Sequence, residues 1–458
     1  MSEGACGGNR CHDVRNPMAN TPGAAVNASP PNEQSRASAS WIFKLSLAYF
    51  GVNITWAGPG QVLMAPQIQW LTENTPLAFF TKSTEVNLSI IGTSAGILAL
   101  ISTPLWGALS DRTRSRWGKR TPWMALGMAI LVVTLVITGF AWSLPALMVA
   151  WLANQAAINA VISPMSASIP DQVPSEQRGL VSGWYGFAYT LAVVVGTALG
   201  TAATAIWPST TGIAMGYILV AIACLISMLP FLLDRWERDA PQPDREPFAV
   251  RDIVSIYWVD LKKNPDFGWA WLTRFTVTLS SAIALFYLYL FLQNAVGLRR
   301  DDVAGDGLRV SDGVLILTGV YALSVFLTVV TAGSWSDKIG RRRIFVLGSA
   351  MLYVVASLMM AFAPTFSVVV VAAVVLGLGT GIFTSVDFAL VSEVLPSAED
   401  NGKDIGIINL AIGLPNVLAP VIAAYAVTQL GGYTSLYLVS AVLAAVGGVL
   451  VYRVRSVP

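Results

Sequence analysis

The sequence predicts an all-α membrane protein with twelve transmembrane helices in two pseudo-symmetric six-helix halves and both termini in the cytoplasm. Hydrophobic residues make up 55% of the 458-residue chain and charged residues only 12%, whereas soluble domains carry about a quarter charged residues. Twelve apolar segments are long enough to cross a bilayer. Two similar charged loops also occupy matched positions in the two halves, which indicates internal duplication.

Each expected span is a mostly apolar run of about 20 residues or more. Lipid cannot satisfy open backbone groups, and these long runs lack the alternation of a β-barrel, so each is predicted to be a helix. The twelve segments are approximately 43–69, 86–109, 122–142, 146–169, 179–206, 212–233, 269–294, 314–336, 343–363, 366–391, 405–430 and 433–452.

The basic residues set the orientation. With both termini in the cytoplasm, the outward loops hold only Lys82, Arg299, Arg300 and Arg309. The inward loops and the C-terminal tail hold the larger set, and this asymmetry is a strong positive-inside bias. That set is Arg112, Arg114, Arg116, Lys119, Arg120, Arg178, Arg235, Arg238, Arg245, Arg251, Lys262, Lys263, Lys338, Arg341, Arg342, Arg343, Lys403, Arg453 and Arg455.

Polar segments divide the chain into five parts. Residues 1–40 are rich in Ala, Ser, Asn, Pro and Gly and lack an apolar core, so we expect a disordered cytoplasmic tail, not a signal peptide. Residues 41–233 and 269–452 are the two six-helix bundles, and 453–458 is a short cytoplasmic tail. Residues 234–268 form a cytoplasmic linker between the bundles.

The linker contains apolar residues at helical spacing, with most of its charges elsewhere. This pattern favours an amphipathic helix on the cytoplasmic membrane surface, and an irregular linker is the alternative. The apolar positions are Val250, Ile253, Val254, Tyr257, Trp258 and Leu261.

The three cysteines predict neither a disulfide framework nor a metal site. Cys6 and Cys11 lie in the tail beside His12, and Cys224 lies in an apolar span. Tail metal binding is conceivable from this grouping, but unrelated thiols in a disordered segment are the preferred interpretation.

The two charged loops are copies of one motif. A glycine precedes an aspartate at the same spacing in each, as Gly107 with Asp111 and Gly333 with Asp337. The halves share an offset of 222 residues at three further positions, which supports duplication. These pairs are Gly118 with Gly340, Asp171 with Glu393, and Pro174 with Pro396.

The repeat resembles the loop signature of the major facilitator superfamily, G-x-x-x-D-R/K-x-G-R/K-R/K. The second copy, Gly333 to Arg342, fits this signature without a gap. The expanded first copy, Ser110 to Trp123, resembles the glycoside–pentoside–hexuronide cation symporters, especially the bacterial sucrose-transporter-like branch. The resemblance implies a monomeric sugar symporter of the cell membrane that works by alternating access without a cofactor. Helices 1 and 2 lack core acidic residues, so sodium coupling through such a site is not expected.

We expect the charged loops to act as a conformational latch. A carboxylate at the end of a span can face the positive N-terminus of a helix in the opposite half. The latch would hold the cytoplasmic ends together when the cavity opens outward, and the alternative is that the basic residues only set topology. The predicted residues are Asp111, Arg112, Gly118, Lys119, Arg120, Asp171, Arg178, Asp337, Lys338, Gly340, Arg341, Arg342, Glu393 and Lys403.

Polar and aromatic residues within the spans predict a substrate cavity. The resemblance implies that helices 1, 4, 7 and 10 line it, and Gly58-Pro59-Gly60 predicts a bend in helix 1. Amides match the hydroxyls of a neutral sugar and rings can cover its apolar face. Interhelical hydrogen bonding and simple packing are the alternatives. The substrate-binding candidates are Asn53, Trp56, Gln61, Gln155, Asn159, Tyr189 and Asn416.

Asp387 is the candidate for proton coupling because it is the one carboxylate well inside a predicted span. A buried carboxylate can carry a proton, and Arg274 is its candidate partner. A purely structural interaction of Asp387 and snorkelling of Arg274 towards the cytoplasm are the alternatives. Transport of the solute without a coupled ion (uniport) is a further alternative to proton coupling.

The leading functional prediction is a proton-coupled importer of a glycoside or oligosaccharide. An exporter of drugs or metabolites is the alternative, and a transporter-like receptor is a third reading. No nucleotide-binding loop, metal cluster or nucleophile triad indicates an enzyme or a primary pump, and the near-balanced charge does not suggest nucleic acid.

Overall fold

The computed structural model describes residues 36–207, 209–234, 265–303, 305–362, 364–393 and 401–454. The side chains of Ser175, Ser334 and Asp337, and those of 388–393 and 401–409, are not described. Most of the predicted tail and linker, the group formed by Cys6, Cys11 and His12, and the side chains of Glu393 and Lys403 therefore lie outside the described part.

The N-terminal half is a bundle of long helices. The first segment is continuous and contains α1 (Ala39–Gly58), a π-helix (Pro59–Leu63) and α2 (Met64–Asn74). The remaining helices are α3 (Thr84–Arg112), α4 (Thr121–Gly139), α5 (Leu144–Gln172), α6 (Ser175–Ile206) and α7 (Thr210–Leu232).

The C-terminal half begins with a broken span. Helices α8 (Pro265–Phe286) and α9 (Leu288–Asn294) meet at a bend of 45°. The helices that follow are α10 (Val310–Ile339), α11 (Arg342–Phe362), α12 (Phe366–Glu393), α13 (Asn401–Gln429) and α14 (Tyr433–Leu450), with a 3₁₀ turn over Val451–Arg453.

The helical membrane class is confirmed. Ten described helices are long and apolar enough to cross a membrane, and the bent α8–α9 pair brings the number to eleven. The twelve-helix count stays a prediction, and it depends on whether the continuous segment Ala39–Asn74 is the remaining span. The orientation of the termini also stays a prediction.

Small residues let α1 and α6 approach each other closely. A Cβ atom on Gly58 would lie 2.5 Å from the carbonyl oxygen of Gly196. Close approach of this kind is a usual role of glycine between transmembrane helices. The chain after Gly58 continues as a π-helix, so the predicted irregularity at Gly58-Pro59-Gly60 is present.

The two copies of the charged loop share a backbone feature. Gly118 has φ of 95° and Gly340, which caps the end of α10, has φ of 66°. Only glycine adopts such angles at little cost. The same unusual backbone at matched positions supports internal duplication.

The halves meet along two pairs of helices. Helix α3 packs against α13, and α6 packs against α10. Ser89 of α3 donates a hydrogen bond to the Pro420 carbonyl of α13 at 2.8 Å, and Thr201 of α6 donates to the Ser311 carbonyl of α10 at 3.2 Å. These two helix pairs form the main seam between the halves.

Candidate functional site

The N-terminal wall of the site is built around Trp56. The Trp56 Nε1 donates to Asn53 Oδ1 at 3.2 Å, and Asn53 Nδ2 donates to the Tyr49 carbonyl at 2.7 Å. Asn53 is only 2% exposed, so its amide orients the indole from behind. The ring of Tyr189 on α6 lies 6.0 Å from that of Trp56 and is 40% exposed. Trp56 and Tyr189 therefore offer a ring surface to a solute.

Two of the predicted amides on α5 lie next to each other and face α3. Asn159 Nδ2 donates to Ser102 Oγ and to the Gln155 carbonyl, both at 3.0 Å. Its Oδ1 accepts from Thr103 Oγ1 at 3.2 Å. Asn159 is buried, so its contacts match the alternative of interhelical hydrogen bonding. Gln155 is partly buried.

Gln61 and Asn416 lie on different helices and have different surroundings. Gln61 belongs to the π-helix, and its Oε1 accepts a hydrogen bond from Thr318 Oγ1 of α10 at 2.8 Å. Asn416 on α13 is exposed, and its Nδ2 donates to the Ile412 carbonyl at 3.1 Å. Gln61 therefore joins the halves, whereas Asn416 bonds its own helix.

The C-terminal wall contains an ion pair inside the membrane. Arg274 Nε on α8 lies 3.2 Å from Asp387 Oδ2 on α12, with side-chain exposures of 14% and 7%. Arg274 is therefore paired with Asp387, its predicted partner. Its Nη1 is buried without a hydrogen-bond partner among the described residues. Because both side chains are largely buried, each charge compensates the other.

Two tyrosines extend the polar surface of this wall. The hydroxyl of Tyr321 on α10 donates to Thr380 Oγ1 at 3.1 Å. The hydroxyl of Tyr353 on α11 lies 2.8 Å from the same atom. Thr380 is two turns from Asp387 on α12. This wall thus combines hydroxyl groups with one compensated ion pair.

The described latch charges pair within the N-terminal half. Asp171 Oδ2 lies 2.7 Å from Arg120 Nη2 and 2.9 Å from Lys119 Nζ. Asp111 Oδ1 lies 3.4 Å from Arg120 Nη2. Arg178 instead donates to the carbonyls of its own turn region. Its acceptors are the Val173 carbonyl at 3.1 Å and the Pro170 carbonyl at 3.3 Å.

The other predicted latch residues lie at the ends of the same loops. Lys338, Gly340 and Arg341 are exposed at the junction between α10 and α11, and Arg342, which begins α11, is half-buried. Arg112 is exposed at the end of α3, and Gly118 is buried in the loop that follows. The latch role of these residues stays a prediction.

The outer ends of the halves are joined by a cluster around Glu85, which begins α3. Its Oε1 accepts from the Tyr433 hydroxyl at 3.1 Å and from Asn294 Nδ2 at 3.4 Å. Its carbonyl accepts from the Tyr287 hydroxyl at 2.6 Å. We call Glu85, Tyr287, Asn294 and Tyr433 the outer clasp.

The cytoplasmic ends differ from the outer ends. A Cβ atom on Gly107 of α3 would meet no described atom within 4 Å beyond its own helix and neighbours. The same holds for Gly179, Gly183 and Gly186 in the first part of α6. Among the described residues, the outer clasp joins the halves at the ends that the predicted orientation places outside, and we interpret the conformation as inward-facing on that orientation.

Several residues that contribute to the site or to the outer clasp could not be identified from the sequence. Thr318 and Tyr321 contribute to the site, and Glu85 and Tyr433 to the outer clasp, without a motif or a repeat to mark them. The break of α8 at Tyr287 was also not predicted, since the span contains neither Pro nor Gly there. For Glu85, the one sequence feature that could have indicated a special role is that an acidic residue stands at the start of a span.

The fold of two duplicated halves of long apolar helices defines a multi-pass membrane protein. The profile of the Major Facilitator Superfamily matches residues 45–311 and 307–458, and the chain belongs to this family. It is therefore a transporter and not an enzyme. Among the described residues, no group of His, Cys, Asp and Glu could hold a metal ion.

Curated relatives match over short segments. The Multidrug resistance protein B homolog of Mycobacterium tuberculosis is 34% identical over 105 residues, which are 23% of this chain and 18% of that protein. The General alpha-glucoside permease of Schizosaccharomyces pombe is 26% identical over 194 residues, which are 38% of this chain and 32% of that protein. The matches thus span less than a third of these relatives and do not distinguish sugar from drug transport.

Solved structures share the fold over most of the chain. The nucleoside transporter NupG has a TM-score of 0.67 at 14% identity, covering 91% of this chain and 100% of that one. A bacterial homologue of the lysosomal transporter Spinster, inward-facing and unoccupied, has a TM-score of 0.62 at 16% identity, covering 91% and 96%. At these identities the likeness concerns the fold alone.

Proposed function

We propose that the protein imports a neutral polyhydroxy solute, most simply a glycoside or oligosaccharide, together with protons. It would act as a monomer in the cell membrane by alternating access. The observation that carries this proposal is the character of the two walls. One wall offers the rings of Trp56 and Tyr189, and the other offers hydroxyls beside the self-neutralised pair of Arg274 and Asp387.

This combination suits a neutral solute better than an ion. Aromatic faces cover apolar sugar surfaces, and hydroxyl and amide groups both donate and accept hydrogen bonds. A large organic anion needs uncompensated cations, but Arg274 is held by Asp387. A cationic solute needs a free carboxylate, and Asp387 is held by Arg274 in the same way.

The ion pair also supplies a route for proton coupling. Protonation of Asp387 would remove its charge and leave Arg274 without a compensating carboxylate. A buried unpaired charge is costly, so protonation would favour a conformation in which Arg274 finds other partners. The proton would thereby bias the equilibrium between the two facing states. The structural alternative, a pair that never titrates, predicts no dependence on a pH gradient.

Export of drugs or metabolites is the second candidate, and the multidrug relatives favour it. The same fold can operate in either direction. An exporter would move an apolar cation such as ethidium out of cells, whereas the proposed importer would not.

Uptake into proteoliposomes tests the proposal. Radiolabelled sucrose, maltose, lactose and trehalose are offered with and without an imposed gradient, acidic outside. We expect saturable uptake of at least one sugar, with accumulation above equilibrium only under the gradient. Failure of all four sugars, together with gradient-driven movement of ethidium, would contradict the proposal and favour the exporter.

A further inference from the structure

Gln61 and Thr318 form a hydrogen bond between the two halves. Gln61 lies in the π-helix of the N-terminal half, and Thr318 lies on α10 of the C-terminal half. Thr318 Oγ1 donates to Gln61 Oε1 at 2.8 Å, and Thr318 is buried. Short π-helical segments often occur at functional sites, and here one places a predicted binding residue at the interface.

Thr318 differs from other hydroxyl residues of the same helix. Ser324, Thr328 and Thr331 donate to the carbonyls of Val320, Ser324 and Leu327, each four residues earlier and 2.8–2.9 Å away. Bonding of this kind is the usual local solution for a hydroxyl inside a helix. Thr318 bonds Gln61 of the other half instead, so its contact is specific to the way the halves meet.

The bond lies on the outer side of the candidate site. Along the first segment the chain runs outward from Trp56 to Gln61, and along α10 it runs inward from Thr318 to Tyr321. Tyr321 belongs to the C-terminal wall through its bond to Thr380. The Gln61–Thr318 bond therefore lies between the ring surface of Trp56 and the closed outer ends.

We propose that Thr318 withdraws an acceptor of Gln61 from the solute each time the outer side closes. A glutamine carbonyl oxygen can accept two hydrogen bonds, and Thr318 occupies one of them in this inward-facing state. When the outer side opens, the halves separate there and this acceptor becomes available to a solute hydroxyl. The outward-facing site would then hold the solute more tightly, and closure would promote release inside. This inference rests on the proposed sugar substrate.

Linkage makes the inference measurable. A solute shifts a conformational equilibrium only by its differential affinity for the two states. Removing the Thr318 hydroxyl should destabilise the empty inward-facing state, where Gln61 loses this donor. With sugar bound the loss should be offset, because in the variant a solute hydroxyl can donate to Gln61 in Thr318's place. The variant should therefore differ from the wild type without sugar and resemble it with sugar.

The test uses Thr318→Val, which preserves the side-chain shape. Nitroxide labels at Trp142→Cys and Phe362→Cys, both exposed at outer ends of opposite halves, report the outer opening by pulsed electron resonance. Cys6 and Cys11 are replaced by Ser in this background. The probe is sucrose or maltose, whichever the wild type transports. Without sugar we expect the ratio of outward to inward states to rise about three- to tenfold, and with saturating sugar to match the wild type.

Two variants control the measurement. Thr318→Ser keeps the hydroxyl and should restore the wild-type ratio. Thr328→Val removes a hydroxyl of the same helix that bonds only within α10, so it should leave the ratio unchanged in both conditions.

Equal shifts with and without sugar would overturn the inference, because the solute would then not compete with Thr318 for the Gln61 oxygen. An unchanged ratio in both conditions would overturn it as well. A wild type that transports the sugar but shows either result refutes only this inference. A wild type that transports none of the sugars refutes the proposed function and the inference with it.

Discussion

The outer and cytoplasmic ends of the molecule hold their charged residues in opposite ways. Outside, Glu85 accepts hydrogen bonds from Tyr433 and Asn294 of the other half. Inside, Arg120 and Asp171 pair within the N-terminal half. The repeated charged motif, which is the strongest sequence signal, thus contributes these ion pairs to one half, while the outer clasp joins the two halves. The contacts that do join them carry no sequence signal of comparable strength.

The difference has a physical basis. In the outer clasp, neutral hydroxyl and amide groups donate to one carboxylate. When the halves separate, water can replace these donors and acceptors, so breaking the bonds has a modest net cost. The cytoplasmic network is centred on a buried guanidinium, whose loss of partners would be costly. A transporter needs interfaces between halves that open readily, whereas the framework of each half must persist.

The largest effect is expected at Arg120, which is 4% exposed on its side chain and contacts Asp171 at 2.7 Å and the Pro164 carbonyl at 3.3 Å. Arg120→Ala should lower the free energy of unfolding by about 3 kcal/mol, since it strips partners from a buried network. Thermal unfolding in detergent measures the loss. Lys119→Ala, at a side chain that is 20% exposed and shares Asp171, should cost clearly less. Equal losses would contradict the central place of Arg120.

The next effect concerns the outer clasp. Glu85→Ala removes an acceptor that serves donors from two elements of the C-terminal half. We expect the ratio of outward to inward states to rise at least about tenfold, since hydrogen bonds to charged groups contribute about 1.5–3 kcal/mol and about 1.4 kcal/mol corresponds to tenfold. The label pair on Trp142 and Phe362 measures the ratio. Glu85→Gln keeps an acceptor oxygen and should have a smaller effect, and an Ala variant that stays inward-facing would contradict the clasp.

A smaller effect of opposite sign is expected at Asp111. Its side chain is 58% exposed and 3.4 Å from Arg120, so its loss should barely affect the inward-facing state. If Asp111 serves the latch in the outward-facing state, Asp111→Asn should lower the population of that state about two- to fivefold, as expected for a contact with a helix terminus. Accessibility of cytoplasmic cysteine probes measures this change. If accessibility and transport were both unchanged, the charged motif would serve only to set the orientation of the chain in the membrane.

The smallest effect is expected for the exposed ion pair of Glu73 and Arg300, whose atoms lie 3.2 Å apart across the halves. Hydrogen bonding to Asp302 and then to Glu73 raises the pKa of Arg300, so this cation stays charged. Glu73→Gln should change the conformational ratio by less than about fivefold, since exposed ion pairs contribute about 0–1 kcal/mol. The residual effect should weaken at high salt. If Glu73→Gln changed the conformational ratio as much as Glu85→Ala, the outer clasp would not be the main contact that holds the outer ends together.

The sequence predicts the helices well because each apolar run is bounded by polar or helix-breaking residues. Predicted segment 366–391 corresponds to Phe366–Glu393, and 122–142 corresponds to Thr121–Gly139. The interruption at Gly58-Pro59-Gly60 was also predictable, because these residues disturb helices. The bend at Tyr287 was not, since the sequence there contains neither Pro nor Gly.

The site is less predictable than the fold. Sequence spacing placed Trp56 and Gln61 on one face and identified Asp387 with its candidate partner Arg274, which the structure brings together. It could not tell a cavity-lining amide from one that binds a neighbouring helix, as Asn159 does with Ser102. Spacing within one helix carries no information about the residue opposite it on another helix.

Proton coupling through Asp387 is the most direct test of the transport mechanism. Wild-type protein and Asp387→Asn are compared in proteoliposomes with labelled sucrose or maltose, for accumulation under a gradient acidic outside and for exchange without one. We predict that the variant loses accumulation above equilibrium but retains sugar exchange, since the cavity walls remain. Gradient-driven accumulation by Asp387→Asn equal to that of the wild type would contradict the account.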